Sequence, residues 1–315
     1  MAVQTANGTS ICMHPSSATE RRRLSRMTKS GKAVRVARGI YAPAADWSNL
    51  DEIARANNTA NALAALHPNW VFCLFTAAAL YGLEIGRDYA MPLHAQTPHS
   101  EETRNSPTLI RHPITCINPM LIGETRVTPP AQTVVDCLIR LPFARGLAVA
   151  DSALRVLRLT KEALLAELAS RPTYEQLKVA ENAILHANPL AANGGESVAR
   201  AVMIEQGFMI PELQAQVTDP LDQGKSYFVD FLWRLATGDV IGELDGKDKY
   251  VLTEMTGGKD TLEVMLDERH RESRITAPGV KVLRFSFRDV MDKGRFVSLL
   301  KLYGIPRGPA QNMGG

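Results

Sequence analysis

Three acidic residues, Asp230, Glu243 and Asp245, occupy two predicted strands that are joined by a short turn. Residues 226–234 alternate in polarity and residues 240–244 form a short apolar run, and both patterns are typical of strands. If the hairpin is symmetric about its turn, antiparallel pairing places Asp230 opposite Glu243, where facing side chains come within roughly 5 Å of each other. Asp245 shares the face of Glu243, because strand side chains alternate with a period of two.

Carboxylates in such an arrangement repel each other unless a positive charge lies between them. A divalent cation satisfies this condition, and Mg²⁺ or Mn²⁺ suits a site made of carboxylate oxygens. Alternatively, Asp230 and Glu243 are solvated charges on an exposed strand face, and residues 244–247 form an ordinary Asp-Gly turn. The residues themselves leave both interpretations open.

A second concentration of charge lies near the N-terminus, although the net charge of the whole chain is only +3. A basic block without acidic residues attracts phosphate backbones by releasing counterions, and it does so without reading the base sequence. Alternatively, the block is a solvated basic tail. The residues predicted to bind DNA are Arg21, Arg22, Arg23, Arg26, Lys29, Lys32, Arg35 and Arg38.

The composition excludes membrane-spanning and disulfide-rich classes of protein. With 45% hydrophobic and 22% charged residues, the 315-residue chain resembles globular proteins of two or three domains. The longest apolar run, residues 70–83, is too short to span a bilayer and predicts a buried helix. No apolar segment follows a basic start, and the four cysteines are scattered without pairing, so we expect a cytoplasmic protein.

The basic block has the order of a helix followed by a hairpin. A helix is predicted from Glu20 to a stop at Gly31, and the alternating residues 32–43 with Gly39 at the turn predict a short hairpin. Recognition helix followed by wing is the order found in winged helix-turn-helix domains. Residues 25–43 resemble the end of the winged-helix domain of type IV abortive-infection antitoxins.

The matching pattern is G-x-x-x-R-x-x-R-G-x-Y, carried here by Gly31, Arg35, Arg38, Gly39 and Tyr41. This resemblance implies DNA binding and a toxin protein as a possible partner. Such antitoxin domains usually have two more helices upstream, and the sequence before residue 17 shows little helical periodicity. We therefore expect a partial winged-helix-like module.

The C-terminal region predicts a helix, three strands, a charged helix, a strand and a closing helix. This order resembles the PD-(D/E)XK restriction-endonuclease-like superfamily, and more narrowly its branch related to very-short-patch repair endonucleases. The resemblance covers residues 190–302. The matching pieces are Glu196, Asp230, Glu243-Leu244-Asp245-Gly246, the helix bearing Glu268 and Arg271, and the strand Val282-Leu283-Arg284-Phe285.

The resemblance implies metal-dependent hydrolysis of DNA phosphodiester bonds. Asp230 and Glu243 would hold Mg²⁺ or Mn²⁺, and Glu196 would complete the site through a water molecule. The superfamily usually places a lysine two residues after the strand glutamate, where this chain has Asp245. Asp245 is then a further ligand, and Lys247 or its neighbour Lys249 supplies the positive charge. The alternative is a non-catalytic, antitoxin-type transcriptional regulator that retains the nuclease fold.

These observations predict an α/β (α+β) protein whose last domain has an α-β-β-β-α-β core. The predicted segments are a disordered tail at residues 1–16, the winged-helix-like module at 17–46, a mixed, mainly helical middle domain at 47–187, the restriction-endonuclease-like domain at 188–304, and a flexible tail at 305–315.

Overall fold

The computed structural model describes residues 2–5, 8–97, 105–113, 116, 118–172, 176–219, 222–245 and 279–308. Helices combine with antiparallel and mixed sheets, so the predicted α/β class is confirmed. The chain divides into two compact units. Unit 1 comprises Met1–Pro142 and Ser152–Leu185, and unit 2 comprises Phe143–Asp151 and His186–Gly315.

Unit 1 begins with a four-stranded antiparallel sheet in the order β1-β2-β4-β3. Its elements are β1 (Ala2–Thr5), β2 (Gly8–Met13), helix α1 (Ala18–Lys29), β3 (Ala33–Ala37) and β4 (Ile40–Pro43). Residues 1–16, which the sequence predicts as a disordered tail, thus include two strands. The physical reason lies in β2, where Cys12 is fully buried and Ile11 packs against the core.

The predicted helix and hairpin of the basic block are present as α1 and β3–β4. The Ser17 hydroxyl caps the start of α1 by accepting a hydrogen bond from the Glu20 backbone N–H. At its end Gly31 adopts a left-handed φ of +72°, and the Lys32 N–H donates to the Met27 carbonyl over 2.9 Å. Strands occupy the described residues before α1, so this module has one helix ahead of its hairpin.

The rest of unit 1 contains a five-stranded sheet in the order β7-β6-β5-β9-β8. Its strands are β5 (Val71–Phe72), β6 (Leu93–Gln96), β7 (Leu109–His112), β8 (Met120–Ile122) and β9 (Thr125–Val127). The buried helix predicted over residues 70–83 is split, because Phe72 pairs with both β6 and β9 before the helix starts. Strand pairing therefore overrides the apolar run.

The described helices between residues 44 and 186 lie before, between and after these strands along the chain, and residues 143–151 among them belong to unit 2. They are α2 (Ala44–Ser48), α3 (Glu52–Leu66), α4 (Leu74–Leu80), α5 (Pro130–Leu138), α6 (Phe143–Val156), α7 (Lys161–Ala169) and α8 (Gln176–His186). One apolar cluster joins Cys12, Ile40 and Ala42 of the first sheet to Ala60 and Phe72. The module predicted at 17–46 and the start of the middle region therefore share one core.

Unit 2 is built on a mixed four-stranded sheet in the order β10-β11-β12-β13. Its elements are α9 (Gly194–Glu205), β10 (Glu212–Asp219), β11 (Asp222–Trp233), β12 (Val240–Asp245), β13 (Lys281–Ser286), α10 (Phe287–Met291) and α11 (Lys293–Leu302). Neighbouring strands are antiparallel from β10 to β12, and β12 and β13 run parallel. This is the predicted order of strands.

The core of unit 2 lies between the sheet and the helices α9 and α11. Phe231, Trp233 and Phe285 are buried there against Val198 and Phe296. The predicted charged helix at residues 260–276 lies outside the described residues, as do Lys247 and Lys249. Among the helices that the structure describes, none combines the length and the apolar character needed to cross a membrane.

Candidate functional site

The β11–β12 hairpin has the register that the sequence predicts. Phe231 pairs with Gly242, Leu232 with Ile241 and Trp233 with Val240. Continued by one residue, this register places Asp230 across from Glu243. The Oδ2 atom of Asp230 accepts a hydrogen bond of 2.9 Å from the backbone N–H of Leu244. The carboxylate of Asp230 is therefore held against the end of β12.

The two faces of β12 have different surroundings. Val240 and Leu244 belong to the main core beneath α9, whereas Ile241 belongs to a smaller apolar cluster. Side chains alternate along a strand, so Glu243 and Asp245 lie on the face of Ile241. Glu243 is only 7% exposed. Burial of a carboxylate requires hydrogen bonds or a positive partner.

A positive charge reaches this face from β13. Arg284 is the register partner of Glu243 in the parallel ladder, and its Nη1 atom lies 3.6 Å from Oδ1 of Asp245. Val282 packs in the cluster of Ile241, which assigns Arg284 to the same face. Although Arg284 stands in a motif matched above, the sequence does not indicate this role, because parallel pairing joins residues far apart in the chain.

Glu196 is buried in the first turn of α9. Its carboxylate accepts hydrogen bonds from the backbone N–H of Ala192 over 2.8 Å and from the side chain of Asn193 over 2.7 Å. The Asn193 side chain in turn accepts from the backbone N–H of Glu196, which completes a reciprocal helix cap. Glu196 therefore has a structural role in the start of α9, and its role as a metal ligand through water stays a prediction.

Gln214 is a site residue that the sequence does not reveal. Its side chain donates to Oε2 of Glu196 over 3.3 Å, and its φ of +48° is a left-handed conformation within β10. The pairs Leu213 with Phe231 and Ala215 with Val229 leave Gln214 opposite Asp230. Such a conformation costs of order 1–3 kcal/mol and persists only when the surrounding structure imposes it.

Along β10 and β11, the side chains on one strand face move from one apolar cluster to the other at Gln214 and Asp230. Leu213 and Phe231 pack in the main core, whereas their neighbours Ala215 and Val229 pack in the smaller cluster. The irregularity lies between these pairs, where Gln214 and Asp230 stand. Asp230 is thus placed where the regular alternation of the sheet is interrupted.

Asp230 and Glu243 offer carboxylate oxygens to a divalent cation. Mg²⁺ retains several water ligands and commonly uses only one or two protein carboxylates, which this pair could supply. Asp245 lies on the same face but forms an ion pair with Arg284. Within the described ranges, no group of three or more His, Cys, Asp or Glu side chains is arranged to hold a metal ion.

The predicted DNA-binding residues are placed together on unit 1. All eight lie on α1, on the turn after it and on the β3–β4 hairpin, and all are exposed. At 100° per residue, Arg22, Arg26 and Lys29 lie on the face of α1 opposite the buried Leu24. Arg38 occupies the turn of the hairpin. We call these eight side chains the basic surface.

No model of a known protein family matches the chain. The chain is 31% identical over 219 residues to the uncharacterized protein MT2308 of Mycobacterium tuberculosis (strain CDC 1551 / Oshkosh), a match that covers 68% of this chain and 74% of that protein. The uncharacterized protein Rv2248 of Mycobacterium tuberculosis (strain ATCC 25618 / H37Rv) matches with the same identity and coverage.

Among solved structures, that of the RV2827C protein from Mycobacterium tuberculosis covers 64% of this chain and 77% of its own. The identity is 14% and the TM-score is 0.33, so the similarity between the two structures is weak. By its sequence, the chain belongs to the family of the two mycobacterial proteins MT2308 and Rv2248.

Proposed function

We propose that the protein binds DNA through the basic surface and hydrolyses DNA phosphodiester bonds in unit 2 with Mg²⁺ or Mn²⁺. The observation that carries the proposal is the exposure of eight basic side chains on one helix, turn and hairpin. Such a surface attracts DNA through release of the counterions on its phosphates. The likeness of residues 25–43 to antitoxin winged-helix modules supports the same partner.

The geometry of the basic surface favours contacts with phosphates. Arg22, Arg26 and Lys29 project from one face of α1, which suits the backbone on either side of a groove. Arg38 stands at the tip of the β3–β4 hairpin, where Gly39 has a φ of +78° that allows a tight turn. The basic surface would therefore supply affinity more than base specificity.

Charge reversal tests the DNA-binding proposal. The variant Arg35→Glu/Arg38→Glu should bind a labelled duplex more weakly, and the slope of log K against log salt should fall by about two. Fluorescence anisotropy between 50 and 200 mM salt measures both quantities. The matched control is Arg126→Glu/Arg158→Glu, which changes the net charge equally at two exposed arginines of unit 1 outside the basic surface. Equal losses in both variants would refute this assignment.

The order of elements in unit 2 and its acids support the hydrolytic proposal. The described elements, a helix, three strands and a fourth strand parallel to the third, are consistent with the order that the resemblance to restriction-endonuclease-like domains implies. Asp230 and Glu243 would hold the cation, which supplies Lewis acidity toward a phosphoryl oxygen. Glu196 would fix the start of α9 beside them and orient a water molecule. Asp245 and Lys247 remain predicted members of the site.

Cleavage of supercoiled plasmid in the presence of Mg²⁺ or Mn²⁺ tests this chemistry. Replacing Asp230 by Ala removes a proposed ligand, and we expect nicking to fall by about 100-fold or more. The control is Asp239→Ala, an acid of the same hairpin that is paired with Arg234. If both variants cleave as the wild type does, the cleavage arises elsewhere and the proposed site is wrong.

The protein partners of Asp230, Glu196 and Asp245 favour one alternative function. Asp230 accepts from Leu244, Glu196 caps α9, and Asp245 is paired with Arg284, so each acid already has a protein partner. In this alternative the protein is a non-catalytic regulator of the antitoxin type, which acts with a toxin partner and keeps the acids for structure. Salt-sensitive DNA binding without cleavage under any metal or DNA form would support it.

A further inference from the structure

Arg284 lies beside Glu243 and Asp245, where the proposed hydrolysis would need a positive charge. It is the parallel partner of Glu243, and the face assignments above place it beside Glu243 and Asp245. The residue two positions after Glu243 is Asp245, an acid, so β12 itself provides no cation there. The adjacent strand β13 provides one at the same level of the sheet.

The Arg284 side chain is partly exposed and lies close to Asp245. Their 3.6 Å separation is longer than a hydrogen bond, and the two side chains are 33% and 48% exposed. An ion pair of this exposure contributes only about 0–1 kcal/mol to stability. A guanidinium carries five N–H donors in a planar fork that matches the oxygens of a phosphate. The exposed part of the Arg284 side chain therefore offers N–H donors that an incoming phosphate can reach.

We propose that Arg284 is a catalytic residue that binds the scissile phosphate and stabilises the charge of the transition state. This inference rests on the proposed function. In hydrolysis the water oxygen bonds to phosphorus, one P–O ester bond breaks, the water gives up a proton to solvent, and the leaving oxygen takes one from solvent. The phosphoryl oxygens gain negative charge on the way, and Arg284 donates to them from beside Glu243.

Removing the guanidinium while keeping an apolar stem is the direct experiment. In Arg284→Met, kcat for plasmid nicking should fall about 100-fold, whereas the KM for DNA should change less than about threefold. Arg284→Lys should retain more activity than Arg284→Met, because it keeps a point charge but loses the fork. The control Arg234→Met removes a paired arginine of the same hairpin and should cleave normally.

A measurement of Mn²⁺ binding without DNA distinguishes a catalytic role of Arg284 from a structural role in holding the acids. Calorimetric titration of Arg284→Met with Mn²⁺ should show unchanged or several-fold tighter binding, because a positive neighbour of the carboxylates has been removed. If Arg284→Met cleaves like the wild type, or if it loses Mn²⁺ binding together with activity, this inference is overturned while the proposed function stands. A wild-type protein that neither binds Mn²⁺ nor cleaves DNA would overturn both.

Discussion

The basic surface of unit 1 and the acid region of unit 2, by which we mean Glu196, Asp230, Glu243 and Asp245, hold charge in opposite environments. On the basic surface, Arg22, Arg26 and Lys29 project into solvent from one helix. In unit 2, Glu196 and Glu243 are buried, and Asp230 is bound to the backbone of β12. Exposed charges act together and are weakened by salt, whereas buried charges act through geometry and tolerate little change. A single substitution on the basic surface should therefore change DNA binding and stability little, whereas a single substitution of a buried charge in unit 2 should have a large effect.

The largest effect should follow from breaking the buried ion pair of unit 2. Nη2 of Arg200 donates to both carboxylate oxygens of Asp151 at 2.8 Å, and their side chains are 4% and 0% exposed. Arg200→Met leaves the buried Asp151 without its cationic partner, so the free energy of unfolding should fall by about 3–5 kcal/mol. Urea unfolding followed by Trp233 fluorescence, with Trp47 and Trp70 replaced by Phe, measures this.

The control for this substitution is Arg234→Met, since Arg234 is 56% exposed and pairs with Glu212 and Asp239. We expect a change within about 1 kcal/mol. Comparable losses in both variants would show that burial does not decide how much a charge matters in unit 2.

A histidine pair of unit 1, in which His94 is buried and His112 is half-buried, tests whether burial also makes a charge sensitive outside unit 2. Nδ1 of His94 lies 2.8 Å from Nε2 of His112, and burial, with a contribution from His112, lowers the pKa of His94 to about 4. The folded protein then binds fewer protons than the unfolded chain between pH 6.5 and 4. The contribution of His94 to the free energy of unfolding should be fully present above pH 6.5, and the free energy of unfolding should fall by roughly 3 kcal/mol as the pH decreases toward 4.

The difference between wild type and His94→Gln isolates this contribution. Unfolding free energies at pH 7, 5.5 and 4 should give a flatter dependence for the variant. The pKa of Asp136 is raised, mainly by burial, so its stabilising contribution is instead lost as the pH increases. Because Asp136 is unchanged in both proteins, its contribution cancels, and parallel pH curves would contradict the assignment to His94.

A smaller effect on stability should come from adding a methyl group at Gly242, which lies in β12 next to Glu243. A Cβ atom at Gly242 would lie 2.8 Å from Cζ3 of Trp233 and 3.0 Å from Cβ of Phe231. Gly242→Ala should therefore cost about 1–3 kcal/mol through overpacking. Gly294→Ala is the control, because its nearest atom is 3.6 Å away and alanine favours the helix, and it should stabilise by up to about 1 kcal/mol. Thermal unfolding distinguishes the two signs.

The smallest effect should follow from removing one exposed charge. Arg26→Ala should weaken DNA binding by about two- to fivefold at 0.1 M salt and reduce the salt slope by about one. Stability should change by less than about 0.5 kcal/mol, because the side chain is exposed. A loss of more than a hundredfold in Arg26→Ala, with Arg126→Ala unaffected, would mean that this arginine makes a specific contact.

Local patterns are what the sequence predicts well. The register of β11 and β12 follows from a short turn and a period of two, and both are properties of neighbouring residues. The α1 helix and the hairpin after it were predictable for the same reason, since Ser17 and Gly31 mark the helix ends. The basic surface needed only composition and the helical period.

The sequence does not predict contacts between residues that are far apart in the chain. The hydrogen bond from Gln214 to Glu196 joins β10 to α9, and the approach of Arg284 to Asp245 depends on a parallel ladder. The pairing of His94 with His112 likewise joins two strands through a crossover. The strands β1 and β2 were not predicted because their apolar residues do not alternate with polar ones, although Cys12 is buried.

The parallel pairing of β12 with β13 also has a consequence for how the chain folds. Residues 246–280 separate the two strands, so closing this pair carries a higher entropic cost than forming the β11–β12 hairpin and is slower. Until β13 arrives, the apolar strand β12 presents an open hydrogen-bonding edge, which favours aggregation. A nascent chain released before residue 281 would therefore be a target for chaperones, with Glu243 still lacking its neighbour from β13.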